Sequence, residues 1–290
     1  MKKWFEEKLY KNQDDTIGYK QSLLVNQHFA NKTNEYQSIE IFVNPFFGKV
    51  LALDGVVQTT EADEFFYHEM FVHVPMFAHG QVKNVLIIGG GDGGILREVL
   101  KHKNVKKAIM IELDGDVIDL CKEYMPNLNK GAFADKRAEV QIRDGIDFIK
   151  NTNEKFDLIL VDSTDPIGAG EVLFSKEFYM NVKRSLNAGG IVITQSGVPF
   201  LQPQEFTDIA NKLQANFSQL KFYTVPVPTY IGGFMCLGFA TDDSIIFNLS
   251  LETLAERLKA SEITNLKYYN SPIHVASFAL PQYILNKILK

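Results

Sequence analysis

The chain has 290 residues, 46% of them hydrophobic, 22% charged and 12% aromatic, and 30 basic against 35 acidic side chains leave a formal charge of −5. That apolar fraction excludes a disordered or low-complexity chain, and the mildly acidic balance without a basic block argues against nucleic acid and favours cationic partners. No apolar run approaches the ~20 residues of a membrane helix. The start, Met1-Lys2-Lys3-Trp4-Phe5-Glu6-Glu7-Lys8, turns acidic where an export signal turns apolar, and Cys121 and Cys236 lie far apart in apolar settings. The expectation is a cytoplasmic protein with reduced thiols.

In chain order, Ile39, Ile41 and Val43 alternate with Glu40 and Phe42, residues 44–48 read as a turn and 49–53 as a returning strand. Asp54-Gly55 is a second turn signal, so this part reads as a small antiparallel sheet. A helix over 63–76 follows. Beyond residue 84, apolar runs at 85–88, 108–111, 156–161 and 190–194, with a further strand at 139–142, alternate with helical periodicity over 95–102, 115–124, 144–151, 176–186 and 203–217. Short apolar runs suit strands covered on both faces, and this alternation predicts right-handed βαβ units. An amphipathic helix over 251–259 is expected to lie on the sheet. The predicted fold is α/β: a doubly wound, mostly parallel, methyltransferase-like Rossmann sheet preceded by a small antiparallel β domain. The division falls at residues 1–80 and 81–290. Ligands of such sheets bind outside the carboxyl ends of the strands.

The first strand of the larger part ends in Gly89-Gly90-Gly91-Asp92-Gly93-Gly94, which satisfies G-x-G-x-x-G between a strand and a helix, and Glu112 closes the next strand. A carboxylate there accepts hydrogen bonds from ribose hydroxyls. Asp92 bears on the choice of nucleoside. A pyrophosphate ~4 Å from it, at an effective dielectric near ~20, meets a repulsion of about 4 kcal/mol. The carboxylate of S-adenosylmethionine is opposed in the same way. A nucleoside with a sulfonium and an amine but no carboxylate, such as decarboxylated S-adenosylmethionine, suits the loop best.

A second acidic element, Asp162-Ser163-Thr164-Asp165-Pro166, leaves the sheet at the same edge, and Asp144-Gly145 follows another strand end. Asp144 reads both as an adenine acceptor and as a helix N-cap. Asp92, Glu112, Asp144, Asp162 and Asp165 have no basic counterpart in these segments, so a polycationic partner is expected. His68, His73 and His79 match no zinc spacing, and no metal site is expected. Among the aromatics Phe65, Phe66, Tyr67 and Phe71, all but Tyr67 read as core or interface. Ser196 lacks the G-x-S-x-G elbow of a hydrolase.

Taken together, these residues resemble the spermidine synthase family of aminopropyltransferases. The resemblance runs from Trp4-Phe5 through Leu53-Asp54-Gly55 to Glu61, Asp63-Glu64-Phe65, Tyr67-His68-Glu69-Met70, the glycine loop, Glu112 with Asp114, Asp144-Gly145, residues 162–168, Leu173-Phe174, Phe178-Tyr179, Gln195 and Pro228-Thr229-Tyr230. It implies transfer of an aminopropyl group from decarboxylated S-adenosylmethionine, a co-substrate rather than a cofactor, to putrescine, in a homodimer or homotetramer. Asp162 matches the proton acceptor, and Asp92 and Asp165 match carboxylates that hold amines. Glu112 matches the ribose ligand, and Asp144 and Gly145 the adenine contacts. Gln37, Tyr67 and His68 match contacts from the N-terminal region, with His68 a donor to the nucleoside. Gln195 and Tyr230 match the wall of the diamine site.

Two departures stand out. Gly168-Ala169-Gly170 lacks a proline common in the family, leaving a backbone contact at Ala169, and Gln195 is followed by Ser196-Gly197-Val198 where some members carry a glutamate. The loop from Asp165 to Ser175 is expected to close over bound substrates. Other acceptors (cadaverine, agmatine, spermidine), a diamine N-methyltransferase, a dehydrogenase and a non-catalytic polyamine sensor stay open at this stage. The group that anchors the far end of a diamine is not assignable from sequence.

Overall fold

A computed structural model describes residues 2–8, 19–162 and 175–288. Two antiparallel sheets come first. Strands β1 (Lys3–Glu6) and β2 (Ser22–Val25) form a ribbon, and β3 (Gln27–Thr33), β4 (Ser38–Asn44), β5 (Gly48–Leu53) and β6 (Val56–Thr60) form a four-stranded meander. The turn at Asp54-Gly55 has φ of 50° and 80°, the positive pair that a two-residue hairpin turn demands. Asp54 accepts the Ser38 N–H at 2.8 Å and so ties that turn to the start of β4. The strands β1, β2, β3 and β6 were not legible. β3 is largely polar and half-exposed at the edge of its sheet, and edge strands do not carry a clean alternation.

Helix α1 (Glu64–His79) then crosses to a seven-stranded sheet, made of β7 (Asn84–Gly89), β8 (Lys107–Glu112), β9 (Ala138–Ile142), β10 (Phe156–Asp162), β11 (Leu186–Gln195), β12 (Gln219–Val225) and β13 (Met235–Thr241). Their order is β12-β13-β11-β10-β7-β8-β9, with β13 alone antiparallel to its neighbours. The helices are α2 (Gly94–Leu100), α3 (Gly115–Tyr124), the short α4 (Pro126–Asn129), α5 (Gly145–Asn151), α6 (Lys176–Ser185), α7 (Pro203–Gln214), α8 (Leu251–Ser261), α9 (Ser271–Ser277) and α10 (Gln282–Ile288). Along β7, Val85 and Ile87 face one apolar cluster with α1 and α2, while Leu86 and Ile88 face another with α5, α6 and α7. Both faces are covered, which is why the sequence shows continuous apolar runs there.

Helix α1 is buried from Tyr67 to Ala78, and it lies against α2, β10 and β11. It runs to His79, where Gly80 in the left-handed region ends it and its N–H returns to the Met76 carbonyl. The last carbonyls of the helix, those of Phe77 and Ala78, accept from the Arg257 guanidinium of α8. That helix therefore lies chiefly on α1 and α9, not on the sheet as its amphipathic pattern implied. The strands β12 and β13 were missed. Gly238 interrupts the pattern of β13 because a Cβ there would come within 2.9 Å of the Leu213 side chain of α7. Cys121 and Cys236 are free and buried, and among the described residues no helix is long and apolar enough to cross a membrane.

Candidate active site

The chain order reverses between β10 and β7, and the carboxyl ends of β7, β8, β10 and β11 open onto one cavity of about 540 Å³. Its wall includes Gln37, Tyr67, His68, Asp92, Glu112, Asp144, Gly145, Asp162, Gln195 and Tyr230. Ten of the twelve residues singled out in the sequence therefore converge. Asp165 and Ala169, with nearly all of the expected lid at 165–175, lie outside the described residues.

Asp162 ends β10, and Tyr67 from α1 donates its hydroxyl to Asp162 Oδ1 at 2.7 Å. Asp162 is half-buried and lines the cavity. Burial, reinforced by the charge of Asp92, lifts its pKa to about 6 against the opposing pull of Tyr67 and His68. Tyr67 itself is pushed well above the usual phenol value, first by burial and then by Asp162.

Asp92 sits in the glycine loop, where the Gly94 N–H donates to its Oδ1 at 2.6 Å. Its Oδ2 lies 3.3 Å from His68 Nε2, and His68 Nδ1 lies 2.7 Å from Glu64 Oε2. Burial disfavours a charged imidazole, but Asp92 and Glu64 outweigh it and raise His68 to about 10. The acidic ring, which has no basic counterpart in its own segments, thus takes a resident cation from α1.

Glu112 ends β8, with its Oε1 accepting the Asp114 N–H at 3.0 Å. Burial raises its pKa to about 7 despite that bond. A Cβ on Gly91 would stand 3.0 Å from Glu112 Oε2 and 2.9 Å from Val117, so a glycine is required for the carboxylate to occupy this place. Gln37 reaches in from the N-terminal meander and donates to Asp114 Oδ2 at 2.8 Å. Asp144 caps α5, accepting the Ile146 N–H at 2.6 Å, and still borders the cavity beside the buried Gly145. Among the described residues no group of three or more His, Cys, Asp and Glu side chains is placed to hold a metal ion.

At the opposite end, Gln58, Gln195 and Tyr230 are shared with a narrow second cavity of about 40 Å³. The Tyr230 hydroxyl donates to the Gln58 carbonyl at 2.6 Å. The far wall of this extension carries Glu7, a residue the sequence reading passed over. Glu7 is 5% exposed, and its Oε1 accepts the Val57 N–H at 3.0 Å. A signal existed: Phe5 and Glu7 lie two apart on an extended segment and share one face, so a buried Phe5 brings Glu7 inward. The main cavity thus carries the carboxylates of Asp92, Glu112, Asp144 and Asp162 with the His68 imidazole, and the extension carries amide and hydroxyl groups and the buried Glu7 carboxylate.

Residues 64–249 match the model of the spermine/spermidine synthase domain, and residues 3–61 match that of the spermidine synthase tetramerisation domain. The chain belongs to the spermidine synthase family. Polyamine aminopropyltransferase 1 of Pseudomonas aeruginosa is 49% identical over 286 residues, covering 99% of this chain and 98% of that protein. The polyamine aminopropyltransferase of Yersinia pestis (strain Pestoides F) is 52% identical over 260 residues, covering 90% of this chain and 87% of the relative. A crystal structure of a spermidine synthase in complex with the transition-state analogue AdoDATO superposes with a TM-score of 0.91 at 38% identity, covering 99% of this chain and 94% of that one. The spermidine synthase of Thermotoga maritima gives 0.88 at 36% identity, with the same coverage. The expected fold class agrees with these structures, and the sequence resemblance is confirmed by family models and relatives alike.

Proposed function

We propose that the chain transfers the aminopropyl group of decarboxylated S-adenosylmethionine to putrescine, giving spermidine and methylthioadenosine. The observation that carries this reading is the half-buried Asp162, bonded to Tyr67, in a nucleoside-sized cavity that shares Gln58, Gln195 and Tyr230 with a small extension lined by Glu7. In this reading Glu112 receives the ribose hydroxyls, and Asp144 and Gly145 border the adenine. Asp92 holds the aminopropyl ammonium, and Glu7 faces the distal ammonium of the acceptor. The small volume of the extension favours a short diamine over a longer polyamine.

The chemistry is an in-line displacement. The acceptor nitrogen forms a bond to the methylene beside the sulfonium, the carbon–sulfur bond breaks, and the thioether leaves neutral and unprotonated. The nitrogen becomes acidic as its bond forms, and Asp162 takes the released proton. An ordinary carboxylate near ~4 facing an ammonium near ~10 leaves full transfer uphill by about 9 kcal/mol. With Asp162 at about 6, the gap shrinks to roughly 6 kcal/mol, and the developing C–N bond lowers it further. Holding amine and sulfonium in line contributes several kcal/mol more. Self-association through residues 3–61 is part of the same reading, with light scattering of the purified chain as its check.

The deciding experiment is incubation with decarboxylated S-adenosylmethionine and equimolar putrescine, cadaverine, agmatine and spermidine, with a parallel arm using intact S-adenosylmethionine, products resolved by mass. Spermidine and methylthioadenosine should dominate. Another aminopropylated amine would replace the acceptor, and methylated amines would replace the reaction. No product in any arm would leave only a polyamine-binding protein.

A further inference from the structure

Behind the cavity, a line of buried ionisable groups joins α1 to α2. His68 lies between Asp92 and Glu64, as described. The Arg97 guanidinium clasps Glu64 with two bonds, Nη2 to Oε2 at 2.7 Å and Nη1 to Oε1 at 3.2 Å. Arg97 Nε donates to Glu98 Oε1 at 2.7 Å, and Glu98 Oε2 takes Lys101 at 2.6 Å and lies 2.8 Å from His73 Nε2. Charge alternates along the line, and only its Asp92 end faces the cavity.

Gly94 contributes a separate observation. A Cβ there would fall 2.2 Å from His68 Cε1 and 2.4 Å from its Nδ1. The space beside the last glycine of G-x-G-x-x-G is therefore filled by an imidazole from another helix, whose Cε1 and two nitrogens approach the start of α2.

We propose that Glu64 and Arg97 are positioning residues of the reaction: with Gly94 they form a socket that seats the His68 ring edge-on against Asp92. The proposal rests on the reading of Asp92 as the holder of the aminopropyl ammonium. Asp92 Oδ1 accepts the Gly94 N–H at 2.6 Å and Oδ2 pairs with His68 Nε2 at 3.3 Å, which restrains the carboxylate at both oxygens and leaves acceptor capacity for the substrate. A buried ion-pair line of this kind is a poor device for stability, since apolar residues of equal volume serve as well or better. Its use is to fix one orientation at the end that meets the ligand.

The groups facing His68 are Glu64 and Tyr67 on its own helix and Asp92 on the loop, with Asp162 of β10 felt through its charge and Arg97 of α2 reached through Glu64. In the parent, both ring nitrogens point at carboxylates, so the ring stays doubly protonated through neutral pH. In Glu64→Gln one of those carboxylates is gone. With Asp92 still in place but Glu64 uncharged, the pKa of the ring falls, and its grip on Asp92 weakens at the upper end of the working pH range.

The test follows the His68 ring resonances by NMR in ligand-free, histidine-labelled protein, alongside kinetics from pH 6 to pH 9. The parent should show a cationic ring beyond pH 9, and Glu64→Gln should move the midpoint towards the ordinary value near ~6.5. The variant-to-parent ratio of kcat/KM for the sulfonium substrate should fall across that range, by about tenfold to a hundredfold at its top. Kcat at saturation should fall less. A Glu64→Gln protein whose His68 midpoint and pH profile match the parent overturns the proposal. A parent His68 that titrates near ~6.5 also overturns it, and that reading needs no variant to fold. If the midpoint moves as stated but neither protein transfers aminopropyl groups, the socket stands and the proposed reaction falls.

Discussion

The hydroxyl of Tyr67 and the carboxylate of Asp162 meet at 2.7 Å although 95 positions separate them. The bond exists because α1, buried along most of its length, lies across the ends of β10 and β11. It works against burial: desolvation and Asp92 raise the Asp162 pKa, and the donated proton lowers it again. Removing the donor in Tyr67→Phe therefore raises that pKa above its present value of about 6. Asp162 must be ionised to accept a proton, so the acid limb of the kcat profile should move to higher pH and the rate at pH 7 should drop. A limb that stays in place would show that Tyr67 does not tune Asp162.

Asp162→Asn keeps the shape of the side chain and abolishes its basicity. Turnover should fall by about 10²–10⁴-fold, the range a positioned general base supplies. Affinity for methylthioadenosine, measured by calorimetry, should stay close to the parental value, because the charge of Asp162 is the smallest of the influences on Glu112. Equal losses in both would make the residue structural.

Glu112→Gln separates binding from stability. The folded-state pKa of Glu112 is raised from 4.5 to about 7, so the stability it contributes is present below its unfolded value and is lost as pH rises through about 7. Glutamine has no charge to bury. Thermal melts should therefore show the variant gaining on the parent between pH 5 and pH 8, while its affinity for the nucleoside drops. A variant no more stable than the parent at pH 8 would show that the buried carboxylate carries no such strain.

The legible parts of this molecule were those where one local pattern decides. The strands covered on both faces announced themselves as apolar runs, and α3 was placed at 115–124 as observed because Asp114 caps it and its apolar face repeats. The cavity-facing acids were readable because they follow strand ends. What escaped were long-range pairings: His68 with Asp92, Tyr67 with Asp162, and Glu7 with the extension lined by Gln195 and Tyr230, each made by segments far apart in the chain. The i,i+4 spacing of Glu64 and His68 and the i,i+3 spacing of Glu98 and Lys101 were the local traces of the buried ion line.

Glu7→Gln tests the acceptor end. A charge-assisted bond to a distal ammonium contributes about 1.5–3 kcal/mol, so KM for putrescine should rise about tenfold or more while kcat at saturation changes little. An acceptor without a second amine gains nothing from Glu7, so its kcat/KM should be the same in parent and variant. Equal losses for mono- and diamines would remove Glu7 from recognition.

Glu69 follows Tyr67 and His68 directly, yet two positions along a helix turn its side chain about 200° away from Tyr67. Its carboxylate accepts the N–H groups of Lys267, Tyr268 and Tyr269 at 2.8, 2.9 and 2.8 Å, and the residue is only 2% exposed. Those three amides precede α9, and their sole acceptor on α1 is this side chain. In Glu69→Gln one oxygen becomes an NH₂ group facing donors, which leaves buried amides unsatisfied at a cost of about 2–4 kcal/mol. Denaturant midpoints should fall accordingly, with kcat per folded molecule retained. The opposite pattern, lost turnover at unchanged stability, would move Glu69 from the scaffold into the reaction, and with it the claim that adjacent residues of this segment serve separate ends.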